Sequence, residues 1–185
     1  IAATGMLNRL TLILSPVALA VVLGYSYTKR FTPLCHLVLG LGLSLAPIGA
    51  YIAVTGHFAL LPLIYSFIVL TWVSGFDIIY SLQDDEFDRD TGLYSIPAVM
   101  SRGKALAVSS ALHAVSVALV AAAGITGEGG YFYWTGAAIF IMMLIYQHLI
   151  VRPDDLSRVN MAFGTTNGIA GVIYGLAVVL DLLIL

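Results

Sequence analysis

Five stretches without a single Asp, Glu, Lys or Arg, at residues 10–28, 31–76, 105–127, 129–151 and 159–180, constrain this chain more than any other feature. A helix crossing the apolar part of a bilayer needs about 20 such residues. The 31–76 run is long enough for two helices, and Thr55, Gly56 and His57, followed by Pro62, supply the break. The pattern predicts six spans, near 8–28, 34–54, 58–79, 104–124, 131–151 and 161–183. The expected fold is therefore an all-α, polytopic transmembrane helical bundle, with residues 1–185 forming one membrane-embedded domain. A closed β-barrel is the other way to span a bilayer, but its strands alternate in polarity and these runs do not. Composition agrees, since only 10% of the residues are charged where a soluble domain carries about 25%.

Charge placement orients the bundle. Lys29, Arg30, Arg89, Arg102, Lys104, Arg152 and Arg158 fall in connections on one side, and Arg9 alone falls on the other. Basic residues accumulate on the cytoplasmic side of membrane proteins. The connections at 29–33, 80–103 and 152–160 are therefore expected to be cytoplasmic, in what is read as an integral protein of the bacterial inner membrane. Tyr131, Phe132, Tyr133 and Trp134 open the fifth span on the opposite side, as an interfacial aromatic belt does. So few basic residues, all at membrane ends, exclude nucleic-acid binding. The lone Cys35 excludes a disulfide framework.

The segment at 77–103 carries most of the chemistry. Asp77 lies inside the third span, and Asp84, Asp85, Glu86, Asp88 and Asp90 follow it. A carboxylate at membrane depth costs about 2.5–3.5 kcal/mol on insertion scales, so such a residue faces a cavity or a partner. Intervals of three, four and four place Asp77, Tyr80, Asp84 and Asp88 on one helical face, with Asp85 and Glu86 turned away. Carboxylates stacked this way repel unless a cation lies between them. Mg²⁺ accepts one or two carboxylates with phosphate oxygens and water. Asp77, Asp84 and Asp88 are thus the expected metal ligands. Gly75 leaves room for a ligand or a neighbouring chain to approach. Tyr25 and Lys29, four apart at the end of the first span, with Arg30, face the same side. Cations opposite a metal-binding stripe suit a diphosphate, and Lys29→Ala is expected to weaken its use without unfolding the protein. His36, His113 and His148 read as packed, hydrogen-bonded residues. Asn160 and Asn167, seven apart, either bond across helices or line the cavity.

These residues resemble the UbiA-type superfamily of intramembrane aromatic prenyltransferases. The run Asp77-Ile78-Ile79-Tyr80-Ser81-Leu82-Gln83-Asp84-Asp85-Glu86-Phe87-Asp88 is similar to the family's second aspartate-rich motif. Tyr25-Ser26-Tyr27-Thr28-Lys29-Arg30 is similar to its tyrosine-to-lysine motif. His36-Leu37-Val38-Leu39-Gly40, Ala46-Pro47-Ile48-Gly49-Ala50 and Asp155-Leu156-Ser157-Arg158-Val159-Asn160 resemble the 4-hydroxybenzoate polyprenyltransferase branch. The family has nine spans and a first aspartate-rich motif that has no counterpart here, because none of Asn8, Asn160 and Asn167 is followed by Asp. The six spans resemble its last six, so the expectation is a C-terminal portion that is inactive alone.

The resemblance implies Mg²⁺-dependent transfer of a polyprenyl group from its diphosphate to the ring of an aromatic acid in quinone biosynthesis. Asp77, Asp84 and Lys29 would be catalytic, with Tyr25, Lys29, Arg30, Tyr80 and Asn167 binding substrate. Two alternatives stay open. One is a dihydroxynaphthoate acceptor of menaquinone synthesis, which Gly92-Leu93-Tyr94-Ser95-Ile96-Pro97 also resembles. The other is a small cation transporter with Asp77 as its ion site.

Overall fold

A computed structural model describes residues 3–184. A 3₁₀ turn, Ala3–Met6, precedes α1 (Arg9–Thr28), α2 (Cys35–Thr55) and α3 (Leu60–Ser81). Two short helices follow, α4 (Asp85–Asp90) and α5 (Ile96–Val99), and then α6 (Arg102–Thr126) and α7 (Tyr131–Ile150). A π-helical turn, Met161–Thr166, leads into α8 (Asn167–Ile184). Among the described residues six helices are long and apolar enough to cross a membrane. Their ends fall within two residues of the spans read from the charge-free runs.

The ends follow local chemistry. Asn8 caps α1 by accepting the Thr11 N–H at 2.9 Å, and its amide donates to the Ile52 and Ala53 carbonyls at the end of α2. Gly56 closes α2 at φ 74°, a left-handed position that suits glycine. Pro62 sits in the first turn of α3, where its missing N–H has no helical partner to lose. Asp181 is buried near the end of α8. It accepts the N–H groups of Gly130 at 2.7 Å and Tyr133 at 3.1 Å, and so caps α7 from a neighbouring helix.

Helix α3 is the centre of the bundle, packed between α2 and α6, while α7 and α8 pair beside it and α1 lies against α2. Small and hydroxyl residues allow the close approaches, as they do in membrane interiors. A Cβ at Gly40 would overlap the Ser74 hydroxyl and the Leu70 backbone. A Cβ at Gly75 would overlap the His113 ring, so Gly75 makes room for a side chain of α6, not for a ligand. The His113 ring uses that room to bond the Trp72 carbonyl at 3.1 Å and His148 at 2.8 Å. The three histidines read as packed and hydrogen-bonded are so placed.

Candidate functional site

Helix α3 does not continue through the aspartates. It stops at Ser81, and tight bonds from the N–H groups of Leu82, Gln83 and Asp84 to the carbonyls three residues back turn the chain before α4 begins. Helical spacing therefore relates only Asp77 and Tyr80; Asp84 still faces the same side as they do, while Asp88 does not. Asp85, expected to turn outward, is 3% exposed, and Asp88 is wholly buried. Asp84 and Glu86 are exposed.

Asp85 and Asp88 have each found a cation. Arg102 grips Asp85 with two bonds, Nε at 2.9 Å and Nη2 at 2.7 Å, and Arg89 adds a third at 3.1 Å. The Arg102 guanidinium holds the Asp85 carboxyl below its usual value. Asp88 pairs with the Lys29 ammonium at 2.8 Å, and its other oxygen accepts the Ser95 hydroxyl at 2.8 Å. Asp88 was expected to be a metal ligand beside Asp77 and Asp84. The structure turns it instead toward α1, where it anchors Lys29.

A cavity of about 340 Å³ opens at this end of the bundle, between α1, α2 and α3. Of the expected residues, Tyr25, Lys29, Asp77, Tyr80 and Asp84 line it. Tyr80 is held by stacking on Phe163, with ring centroids 4.1 Å apart. Arg30 does not reach the cavity. It is exposed, and its guanidinium lies over the Tyr27 ring at 5.6 Å. Asn167 does not reach it either. Its amide donates to the Ala162 and Phe163 carbonyls of the π turn, and its oxygen accepts the Trp72 indole N–H at 3.2 Å. The same turn separates Asn167 from Asn160, which accepts from Gln83 at 3.3 Å.

His36, read from the sequence as a packed, hydrogen-bonded residue and not as part of the site, completes the wall. It is 2% exposed at the start of α2 and bonds the Asp77 carboxylate at 2.6 Å. Among the described residues Asp77 has no other side-chain partner, and the Asp84 carboxylate has none. The cavity thus presents two carboxylates with hard oxygen donors, neither of them paired with a lysine or arginine among the described residues. That donor set fits a divalent metal of the Mg²⁺ kind. Among the described residues no three His, Cys, Asp or Glu side chains form a ready-made cage. Mg²⁺ does not need one, since phosphate oxygens and water fill its remaining positions.

Comparison with known proteins agrees with this architecture. A family model described as "UbiA prenyltransferase family" matches residues 1–173. A 4-hydroxybenzoate octaprenyltransferase of Francisella tularensis subsp. novicida is 27% identical over 173 residues, covering 94% of this chain and 61% of that protein. The protein of the same name from Nitrosospira multiformis is 30% identical over 181 residues, covering 96% and 61%. The chain therefore spans about 61% of the length of these curated relatives. A solved structure, the apo form of a UbiA homolog from Aeropyrum pernix K1, superposes with a TM-score of 0.86 at 35% identity, over 98% of this chain and 67% of that one.

Proposed function

The chain belongs to the UbiA prenyltransferase family, and from that premise we propose that it carries the diphosphate-binding side of an aromatic prenyltransferase. The polyprenyl group would pass from its diphosphate to the ring of an aromatic acid of the 4-hydroxybenzoate type. The acceptor is inferred from the names of the relatives. The cavity that joins Lys29, Asp77 and Asp84 at the charged end of an apolar bundle is the observation that carries the reading. A donor with a charged head and a hydrocarbon tail needs that juxtaposition. The positive-inside asymmetry supports a cytoplasmic position for this end.

Asp77 and Asp84 would hold a divalent cation, Mg²⁺ by the donor argument, which when bound offsets the diphosphate charge and favours its departure. Lys29 faces the same cavity with one-third of its side chain exposed. There it would bind the diphosphate oxygens by charge-assisted hydrogen bonds as the allylic C–O bond breaks and the electron pair leaves with the diphosphate. Tyr25 and Tyr80 line the same cavity. The apolar helices around this end would have to keep bulk water from the allylic cation until the aromatic ring attacks. The bond to the ring forms at carbon, and the ring then loses a proton.

The test is product analysis with the intact protein, labelled polyprenyl diphosphate, candidate aromatic acids and Mg²⁺. A prenylated aromatic acid is expected. Asp77→Asn or Asp84→Asn should lower the rate by roughly 10²–10³, while Glu86→Gln, whose carboxylate is exposed and bonded to Arg102, stays near the parent. Equal losses for Asp84→Asn and Glu86→Gln would count against the cavity as the site.

A further inference from the structure

An aspartate inside an apolar span has to be aimed. We propose that His36 is the positioning residue for Asp77. It holds one carboxylate oxygen in place so that the other is left for the divalent cation. This inference rests on the functional reading of the cavity.

Three observations carry it. The first is the bond itself: His36 Nδ1 lies 2.6 Å from Asp77 Oδ2, and among the described residues no protein donor reaches Oδ1. The second is the other edge of the ring. The Ile96 N–H points at Nε2 from 3.3 Å, so Nε2 accepts and the proton sits on Nδ1, facing Asp77. A histidine clamped at both nitrogens has one tautomer and one orientation. The third is the rigidity of the support. The Ser74 hydroxyl of α3 is shared between the Leu70 carbonyl at 2.7 Å and the His36 carbonyl at 3.1 Å, in the region where Gly40 lets α2 and α3 approach closely. Ile96 is fixed in turn, because the Tyr94 N–H donates to the Lys29 carbonyl at 2.7 Å and the Ser95 hydroxyl to Asp88. Partners that orient a metal-binding group without touching the metal typically govern 10–100-fold of its affinity.

The experiment titrates the intact, detergent-solubilised protein with Mn²⁺ alone, reading free Mn²⁺ by electron paramagnetic resonance. His36→Leu removes the donor and should weaken Mn²⁺ binding roughly 10–100-fold. His36→Asn keeps an N–H at the Nδ1 position and should bind close to the parent. In an Asp77→Asn background, His36→Leu should change nothing further. Parent-like binding by His36→Leu, or a loss that persists without the Asp77 charge, overturns the proposal. If the parent itself fails to take up Mn²⁺, the functional reading fails, and this inference with it. A measurement on the unsubstituted protein needs no variant to fold. The ¹⁵N signals of His36 should show a protonated Nδ1 and a bare Nε2, and the opposite tautomer refutes the clamp.

Discussion

Lys29→Ala will cost stability, and the structure says how much and why. Asp88 is fully buried, and its two side-chain partners are the Lys29 ammonium at 2.8 Å and the neutral Ser95 hydroxyl. Removing the ammonium strands a carboxylate with a single hydrogen bond. Breaking a buried ion pair from one side costs about 3–5 kcal/mol. Lys29 is 31% exposed, so water reaches part of the space it leaves, and the lower end, about 3 kcal/mol, is the expectation. The reverse change, Asp88→Asn, leaves a cation that water can already reach and should cost about 1 kcal/mol or less. In Lys29→Ala/Asp88→Asn no charge is stranded, and the amide can still accept from Ser95. The double variant should therefore be more stable than Lys29→Ala alone. The assay is the midpoint of denaturant-induced unfolding for the four proteins in one detergent. A Lys29→Ala variant as stable as the parent, or a double variant no better than Lys29→Ala, would refute the reasoning. The expectation from spacing alone, that Lys29→Ala spares the fold, did not include the partner that packing supplies. Loss of activity in that variant is interpretable only beside the double variant.

Two further outcomes test the surroundings of the site. Asp85 faces Arg102 and Arg89, with Glu86 sharing Arg102. Its carboxyl is held below the usual value, so its contribution is present above about pH 4, the unfolded-state value, and is lost as pH falls through the lower folded one. The stability gap between the parent and Asp85→Asn should be constant near neutrality and close only in acid, in unfolding midpoints measured across pH; a gap that instead closes on the alkaline side contradicts the assignment. Gly75→Ala would drive a methyl into His113 and should cost about 1–3 kcal/mol. Combined with His113→Ala the losses should fall short of their sum, and strict additivity would mean that the two sites do not meet.

Much of the bundle was legible because its cause is local. A bilayer rewards about 20 consecutive apolar residues, and the charges that interrupt them mark the ends. The six spans and the break at Gly56 therefore follow from the linear order of residues. The likeness of Asp77 and its followers to an aspartate-rich motif pointed to the family in the same way. Tyr25, Lys29, Asp77, Tyr80 and Asp84 line one cavity because each lies at or near the end of a span on the same side.

The errors share a different cause. Helical spacing predicts a common face only while the helix lasts, and α3 ends at Ser81. Beyond that point the direction of the two buried aspartates, Asp85 and Asp88, is set by which cation packing brings to each. Lys29 from α1 draws Asp88 inward, and Arg102 from α6 draws Asp85. The π turn likewise spends the amide of Asn167 on its own backbone. His36 lies 41 residues from the aspartate it holds, and Asp181 caps a helix 51 residues before it. Apolar length and charge order are properties of the chain and were determined by the sequence itself. The partner of each buried polar group depends on which helices lie side by side, and only the tertiary structure decides that.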